Sequence, residues 1–141
     1  MESVKQIGAL CLRRTEGGEF EVLLVTSRES GRWVIPKGWP MRRITDHNAA
    51  EREAFEEAGV QGEISRKAYG KFQYFKRTPF AFRLIAVKVF VLWVKKEKKL
   101  WPEMNQRQRR WFSLEEAIDV VVEPQLSSLL GGLVDNPPSS R

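Results

Sequence analysis

Five charged residues crowded into one short segment, Glu51, Arg52, Glu53, Glu56 and Glu57, are the part of this chain best suited to chemistry. From Asn48 to Ala58 the sequence has good helix formers and neither Gly nor Pro. At about 100° per residue, Glu53, Glu56 and Glu57 fall within roughly a third of a helix circumference. Like charges at i,i+3 and i,i+4 repel, and Glu56 and Glu57 lie at the negative C-terminal end of the helix dipole. A helix that carries these penalties is expected to gain something in return, and a divalent cation is the simplest compensation. Carboxylate oxygens are hard ligands suited to Mg²⁺, with Mn²⁺ as the alternative. Such an ion can act as a Lewis acid and acidify a bound water, so the chemistry these acids would serve is metal-assisted. Glu53, Glu56 and Glu57 are the expected metal ligands. Arg52 is placed to orient Glu53. The bland alternative is a solvated acidic face, and the sequence around the helix decides between the two.

The elements that must position these acids follow from local pattern. Val4–Arg13 reads as a strand covered on both sides, with Ile7, Ala9 and Cys11 facing one way and Gly8, Leu10 and Leu12 the other. A Gly-Gly turn at 17–18 leads to a second strand, Phe20–Thr26. Trp33–Ile35 is a short third strand stopped by Pro36, and Lys37-Gly38-Trp39-Pro40 is expected to be a loop. Thr45 or Asp46 offers an N-cap for the acidic helix, and Gly59 a left-handed stop. In that helix Ala54, Phe55 and Ala58 are expected to pack on a sheet, while Ala49 and Ala50 leave room for a substrate. Val60–Phe75 has mixed strand character, and Phe80–Val94 is the strongest β signal. Lys95–Arg110 reads as a basic loop, with a short strand at 110–112. Ser113 and Glu116 form a capping box for a helix over Leu114–Val121, and Pro124–Leu133 is a third helix. Residues 1–135 are expected to form a single domain, with 136–141 a flexible tail. This order predicts an α+β domain with helices against a mixed sheet.

Composition narrows the partners. The chain has 141 residues, with Lys and Arg numbering 24 against 18 Asp and Glu, a formal charge of +6. An anionic partner is expected, and no long apolar run suits a membrane span or signal peptide. A cytoplasmic location is the default expectation. The single cysteine, Cys11, excludes an internal disulfide or a cysteine metal cage and reads as a buried inert thiol. No zinc-finger, helix-turn-helix or RNA-recognition signature is present, so nucleic acid is expected only as a possible substrate.

With these residues in view, Gly38 and the run Arg52-Glu53-Ala54-Phe55-Glu56-Glu57-Ala58-Gly59-Val60 resemble the Nudix box: a Gly, five residues, a Glu, seven residues, then Arg-Glu-apolar-x-Glu-Glu-x-Gly-apolar. The spacing matches without a gap. One position departs, because Ile44 stands where the family has its first Glu. The resemblance implies an α/β/α sandwich with a mixed sheet between helices. It also implies hydrolysis of a diphosphate linked to another group. By position, Glu53, Glu56 and Glu57 would bind Mg²⁺, Arg52 would hold Glu53, and Gly38 would offer its carbonyl or permit close backbone approach. Glu57 or Glu56 would act as base, with Glu103 or Glu97 as alternatives from a later segment.

Residues 5–40, and Arg110–Ala117 later, are similar to the diphosphoinositol polyphosphate phosphohydrolase branch, whose members cleave inositol pyrophosphates and dinucleoside polyphosphates. Arg13, Arg28, Arg32 and Lys37 lie on strand ends and loops leading into the box and are the expected phosphate-binding residues, together with Gly38. His47 reads as a cap-region histidine. Trp33, Trp93 and Trp111 read as core residues, and Trp39 and Trp101 as candidates for stacking on a substrate base. The nearest rivals are a nucleoside di- or triphosphate, nucleotide-sugar or RNA 5′-pyrophosphate hydrolase, and a non-catalytic binding module of the same fold.

Overall fold

Strand β1 (Val4–Arg14) carries the expected two-sided alternation into a three-layer arrangement. Ile7, Ala9 and Cys11 join one hydrophobic cluster, and Leu10 and Leu12 join another on the opposite face. The computed structural model describes residues 3–139. After β1 the order is β2 (Phe20–Thr26), β3 (Trp33–Val34), β4 (Lys37–Gly38), α1 (Asp46–Ala58), β5 (Val60–Ile64), β6 (Gly70–Arg77), β7 (Phe82–Glu97), β8 (Arg109–Ser113), α2 (Leu114–Val120) and α3 (Pro124–Gly131). One face of the sheet is covered by α1 and the other by α2 and α3. The sheet is mixed: β1 runs parallel to β7, and every other pairing is antiparallel. The expected α/β/α sandwich is therefore what the chain forms.

The long β7 takes β1 along one edge, and β5 and β6 in succession along the other. Its polar end, expected as loop, stays in the sheet as far as Glu97 because Val60 and Gln61 pair with Glu97 and Lys96. On the far side of β1 the sheet divides. Strands β1 and β2 pair over Cys11–Arg14, then separate. Into the gap go β3, paired with the end of β2, and β4, paired with Ile7 and Gly8 of β1. Lys37-Gly38 is thus a short strand rather than the loop the flanking prolines suggested. Pro36 lacks an N–H but its carbonyl accepts from Ala9 N at 2.9 Å, which carries the pairing through the proline. Gly8 makes the close approach possible, since a Cβ there would meet Ile35 Cδ1 at 2.9 Å.

Helix α1 lies on the sheet through Ala49, Ala50, Ala54 and Ala58, all fully buried. These four span about 180° of the helix, with Glu53 and Glu57 inside the arc and Glu56 just outside it. Ala49 and Ala50 therefore seat the helix rather than clearing space for substrate, and Phe55 is left half-buried off that seat. Ile44 packs against the same cluster as an apolar plug. The capping box on α2 forms as expected, with Glu116 N donating to Ser113 Oγ at 3.1 Å and Ser113 N to Glu116 Oε1 at 3.2 Å. Tyr69 Oη and Trp93 Nε1 donate to the carbonyls of Asn136 and Ser139 at 2.8 and 3.0 Å, and the last residues of the 136–141 tail lie outside those described. Cys11 is buried, and that burial pushes its thiol far up from its ordinary value, as an inert core thiol requires.

Candidate active site

The C-terminal end of α1 shows how two acidic residues are tolerated there. Thr45 is the N-cap, without a side-chain bond to the helix, and Gly59 ends it at φ 66°. Its last carbonyls are met from the segment that joins β7 to β8 and from the first residue of β8. Glu103 N donates to the Glu56 carbonyl at 3.0 Å, Trp101 Nε1 to that of Glu57 at 3.1 Å, and Arg109 Nη1 to that of Ala58 at 2.9 Å. The Arg109 guanidinium also stacks over the Trp101 ring, 3.9 Å from its centroid. A fixed cation at this end offsets the dipole penalty on Glu56 and Glu57. Trp101, a candidate for base stacking from its loop position, is spent on this clamp. Gly59→Ala should cost at least about 2 kcal/mol, since the left-handed backbone disfavours a side chain. The new Cβ would also lie 2.7 Å from the Trp101 ring. Thermal unfolding should register this as a Tm lower by roughly 5 °C or more.

Inside the alanine arc, Glu57 is 5% exposed and Glu53 half-buried beside it. The two carboxyl groups face one another. Burial pushes Glu57 up to about 8. The Arg107 guanidinium opposes this, and the interaction with Glu53 adds to it. Burial likewise raises Glu53, while the interaction with Glu57 holds it down and Glu56 adds repulsion. Backbone N–H of Lys37 donates to Glu57 Oε1 at 3.3 Å, which ties β4 to the pair. Burial lowers the Lys37 ammonium, with Glu57 as its partial support. Gly38 faces Glu53 so closely that a Cβ would lie 2.5 Å from its carboxyl carbon. A buried carboxyl set against a half-buried one is short of positive charge, and a hard divalent cation suits that donor chemistry. Among the described residues no three His, Cys, Asp or Glu side chains are already gathered to hold a metal. Glu53 and Glu57 supply two donors, and Glu56 stands at the edge of the helix.

Arg107 supplies the guanidinium that reaches this pair. Its Nη2 lies 3.7 Å from Glu57 Oε2, its Nε 2.8 Å from Glu103 Oε1, and its Nη1 donates to the Thr26 carbonyl at 3.0 Å. Arg52, expected to hold Glu53, is exposed with its Nη1 3.9 Å from Met41 Sδ. Nothing in the sequence distinguished Arg107 from the neighbouring Arg109 and Arg110, because its role depends on where a long loop returns.

The pair opens on a cleft of about 500 Å³. Its lining includes Arg28, Arg32, Lys37, Lys76, Arg77 and Arg107, the acids Glu29, Glu53, Glu57, Glu103 and Glu123, and the aromatic residues Trp39, Tyr74 and Phe75. Of the expected phosphate-binding residues, Arg28, Arg32, Lys37 and Gly38 are brought together here. Arg13 is not: it sits at the other end of β1, 2.8 Å from Glu21 and stacked 4.0 Å over Trp111. Glu97 lies near Arg13 as well, 3.8 Å away, while Glu103 faces the cleft. Lys76 and Arg77 were missed. They come from the β6–β7 hairpin, and only the strand pairing folds them over the cleft.

The chain matches the NUDIX domain family from residue 4 to residue 130. It belongs to the Nudix family. Among Nudix relatives, it is 36% identical over 121 residues to Nudix hydrolase 18, mitochondrial, of Arabidopsis thaliana, covering 85% of this chain and 66% of that protein. It is 37% identical over 120 residues to diphosphoinositol polyphosphate phosphohydrolase 3-alpha of Mus musculus, covering 83% and 68%. The chain spans between 47% and 66% of the length of three Arabidopsis Nudix hydrolases that it matches. In fold it resembles a C. elegans Ap4A hydrolase, with a TM-score of 0.69 at 24% identity over 94% of this chain and 96% of that one.

Proposed function

We propose that this Nudix chain hydrolyses a pyrophosphate bond in a nucleoside or inositol polyphosphate, with Mg²⁺ as cofactor. The observation that carries the reading is the buried Glu57 with the half-buried Glu53 beside it, both lining a cleft that arginines and lysines share. Glu53 and Glu57, with Glu56 at their edge, would hold the cation, which supplies neutralisation of phosphate oxygens and an acidified water. The chain's own groups do the rest. Lys37 N–H and Gly38 keep the two carboxyls in register with β4. Arg28, Arg32, Lys76 and Arg77 bind the phosphates that are not cleaved. Glu57, the deeper carboxyl, would be ionised once the cation is bound and would then take the proton released from the attacking water. Similarity to the mouse diphosphoinositol polyphosphate phosphohydrolase supports a substrate with many phosphates.

One observation favours a nucleoside at one end of that substrate: Trp39 and Phe75, 51% and 59% exposed, line the same cleft as the cations. Phosphate release should be measured with Mg²⁺ on diphosphoinositol polyphosphate, diadenosine penta- and hexaphosphate, ADP-ribose, 8-oxo-dGTP and triphosphorylated RNA. Turnover of the first three compounds is expected to exceed the rest. Preference for ADP-ribose would move the chain to nucleotide-sugar chemistry. Binding without turnover of any compound would make it a non-catalytic module.

A further inference from the structure

The guanidinium of Arg107 has all three of its nitrogens engaged. Nε is fixed by Glu103 at 2.8 Å, Nη1 by the Thr26 carbonyl at 3.0 Å, and Nη2 faces Glu57 at 3.7 Å. Its side chain is 9% exposed and that of Glu57 is 6% exposed. A planar fork held at two points cannot rotate, so the third edge has a fixed direction. The two anchors come from separate parts of the chain, the end of β2 and the turn at 103–107, where Arg107 N also donates to the Glu103 carbonyl at 3.1 Å. Arg28 is tied to the same turn through Gln106 Oε1 at 3.0 Å. Among the described residues the box's own arginine, Arg52, makes no such contact with an acid, its Nη1 lying 3.9 Å from Met41 Sδ.

We propose that Arg107 is a positioning residue, a fixed counter-ion outside the box that holds the Glu57 and Glu103 carboxyls in the geometry that receives the divalent cation. This rests on the metal-dependent reading above. With its nitrogens engaged, Arg107 orients acids and does not grip phosphate. The phosphate-gripping role falls instead to the exposed Arg28, Arg32 and Arg77. Removing a partner that orients a metal ligand typically costs about 10–100-fold in metal affinity or activity.

The test uses Arg107→Met and Arg107→Lys in the full chain. Mn²⁺ binding to the metal-free proteins is followed by electron paramagnetic resonance, and kcat, KM and Tm are measured alongside. For Arg107→Met we expect Mn²⁺ affinity and kcat each lower by about 10–100-fold, with KM for the polyphosphate changed less than about threefold. Arg107→Lys keeps the charge and loses the fork, so its Mn²⁺ affinity should fall between the two. Should Arg107→Met lose its fold, the lysine variant carries the comparison. A raised KM with kcat and Mn²⁺ affinity intact would overturn the proposal in favour of phosphate gripping. A lowered Tm with all three preserved would overturn it in favour of a purely structural role. If wild-type protein turns over nothing yet Mn²⁺ binding weakens in both variants, the hydrolase reading fails and this one stands.

Discussion

Glu57→Gln is expected to abolish turnover and at the same time stabilise the metal-free protein at alkaline pH. The loss follows from removing a buried carboxylate that the proposed reaction needs for both cation and proton. Several kcal/mol of transition-state stabilisation corresponds to about a thousandfold or more in kcat. The gain follows from the same burial. Folding raises the Glu57 carboxyl from its ordinary 4.5 to about 8. Between those values the folded chain keeps a proton that the unfolded chain has released. Its stabilising effect is therefore complete below pH 4.5 and is lost as pH rises through 8. At about 1.4 kcal/mol per unit, the metal-free chain should lose on the order of a few kcal/mol between pH 5 and pH 9. Gln stands for the protonated form and should flatten that slope, while added Mg²⁺ should flatten it in the wild-type chain. Calorimetric Tm values from pH 5 to pH 9, in chelator and in Mg²⁺, test both statements. A wild-type Tm that holds or climbs toward pH 9 without metal would show that Glu57 is ionised at no cost.

Gly38→Ala should separate activity from folding in a different way. Gly38 has no positive φ, so the backbone does not call for glycine there. What the position lacks room for is a Cβ, which would lie 2.5 Å from the Glu53 carboxyl carbon and 2.7 Å from Oε2. The obstructed group is the end of a flexible side chain, so the fold can yield by swinging Glu53 aside at a cost of about 1–2 kcal/mol. The site cannot yield so cheaply, because displacing a reacting group by about 1 Å can cost about 100-fold. The expected variant is folded, within a few degrees of wild-type Tm, with kcat reduced about 100-fold and Mn²⁺ affinity reduced with it. A variant with wild-type kcat would show that Glu53 is not held where the site requires it.

Much of this was legible because it is local. Two-period alternation located β1 and assigned its faces, Ser113 with Glu116 marked the start of α2, and Gly59 marked the end of α1. The spacing of Glu53 and Glu57 placed both on one side of the helix. What escaped the sequence depends on long-range return of the chain. Pro36 and Pro40 disguised β4, whose strand character exists only through Ile7 and Gly8. Ala49 and Ala50 were read as open space because helical spacing does not say which arc meets the sheet. Arg13 and Arg28 looked alike as strand-end cations, yet β2 runs antiparallel to β1 and carries them to opposite ends. Arg52 lies beside Met41 while Arg107 reaches Glu57, for the same reason. A neighbour in sequence is no guide to which cation a fold delivers to a buried acid.

The clamp on the end of α1 sets a rule for anyone recombining parts of this chain. Trp101, Glu103 and Arg107 lie between the last long strand and the final short one, which Arg109 opens, and connecting segments of this kind tolerate sequence change most readily. Here that stretch closes the helix that bears the glutamates and supplies their counter-ion. The box is therefore not a portable cassette. A chimera that imports residues 38–60 without their 101–109 counterpart, or the reverse, should inherit an acidic helix with an unsealed end, and specificity is better redesigned from the β6–β7 hairpin.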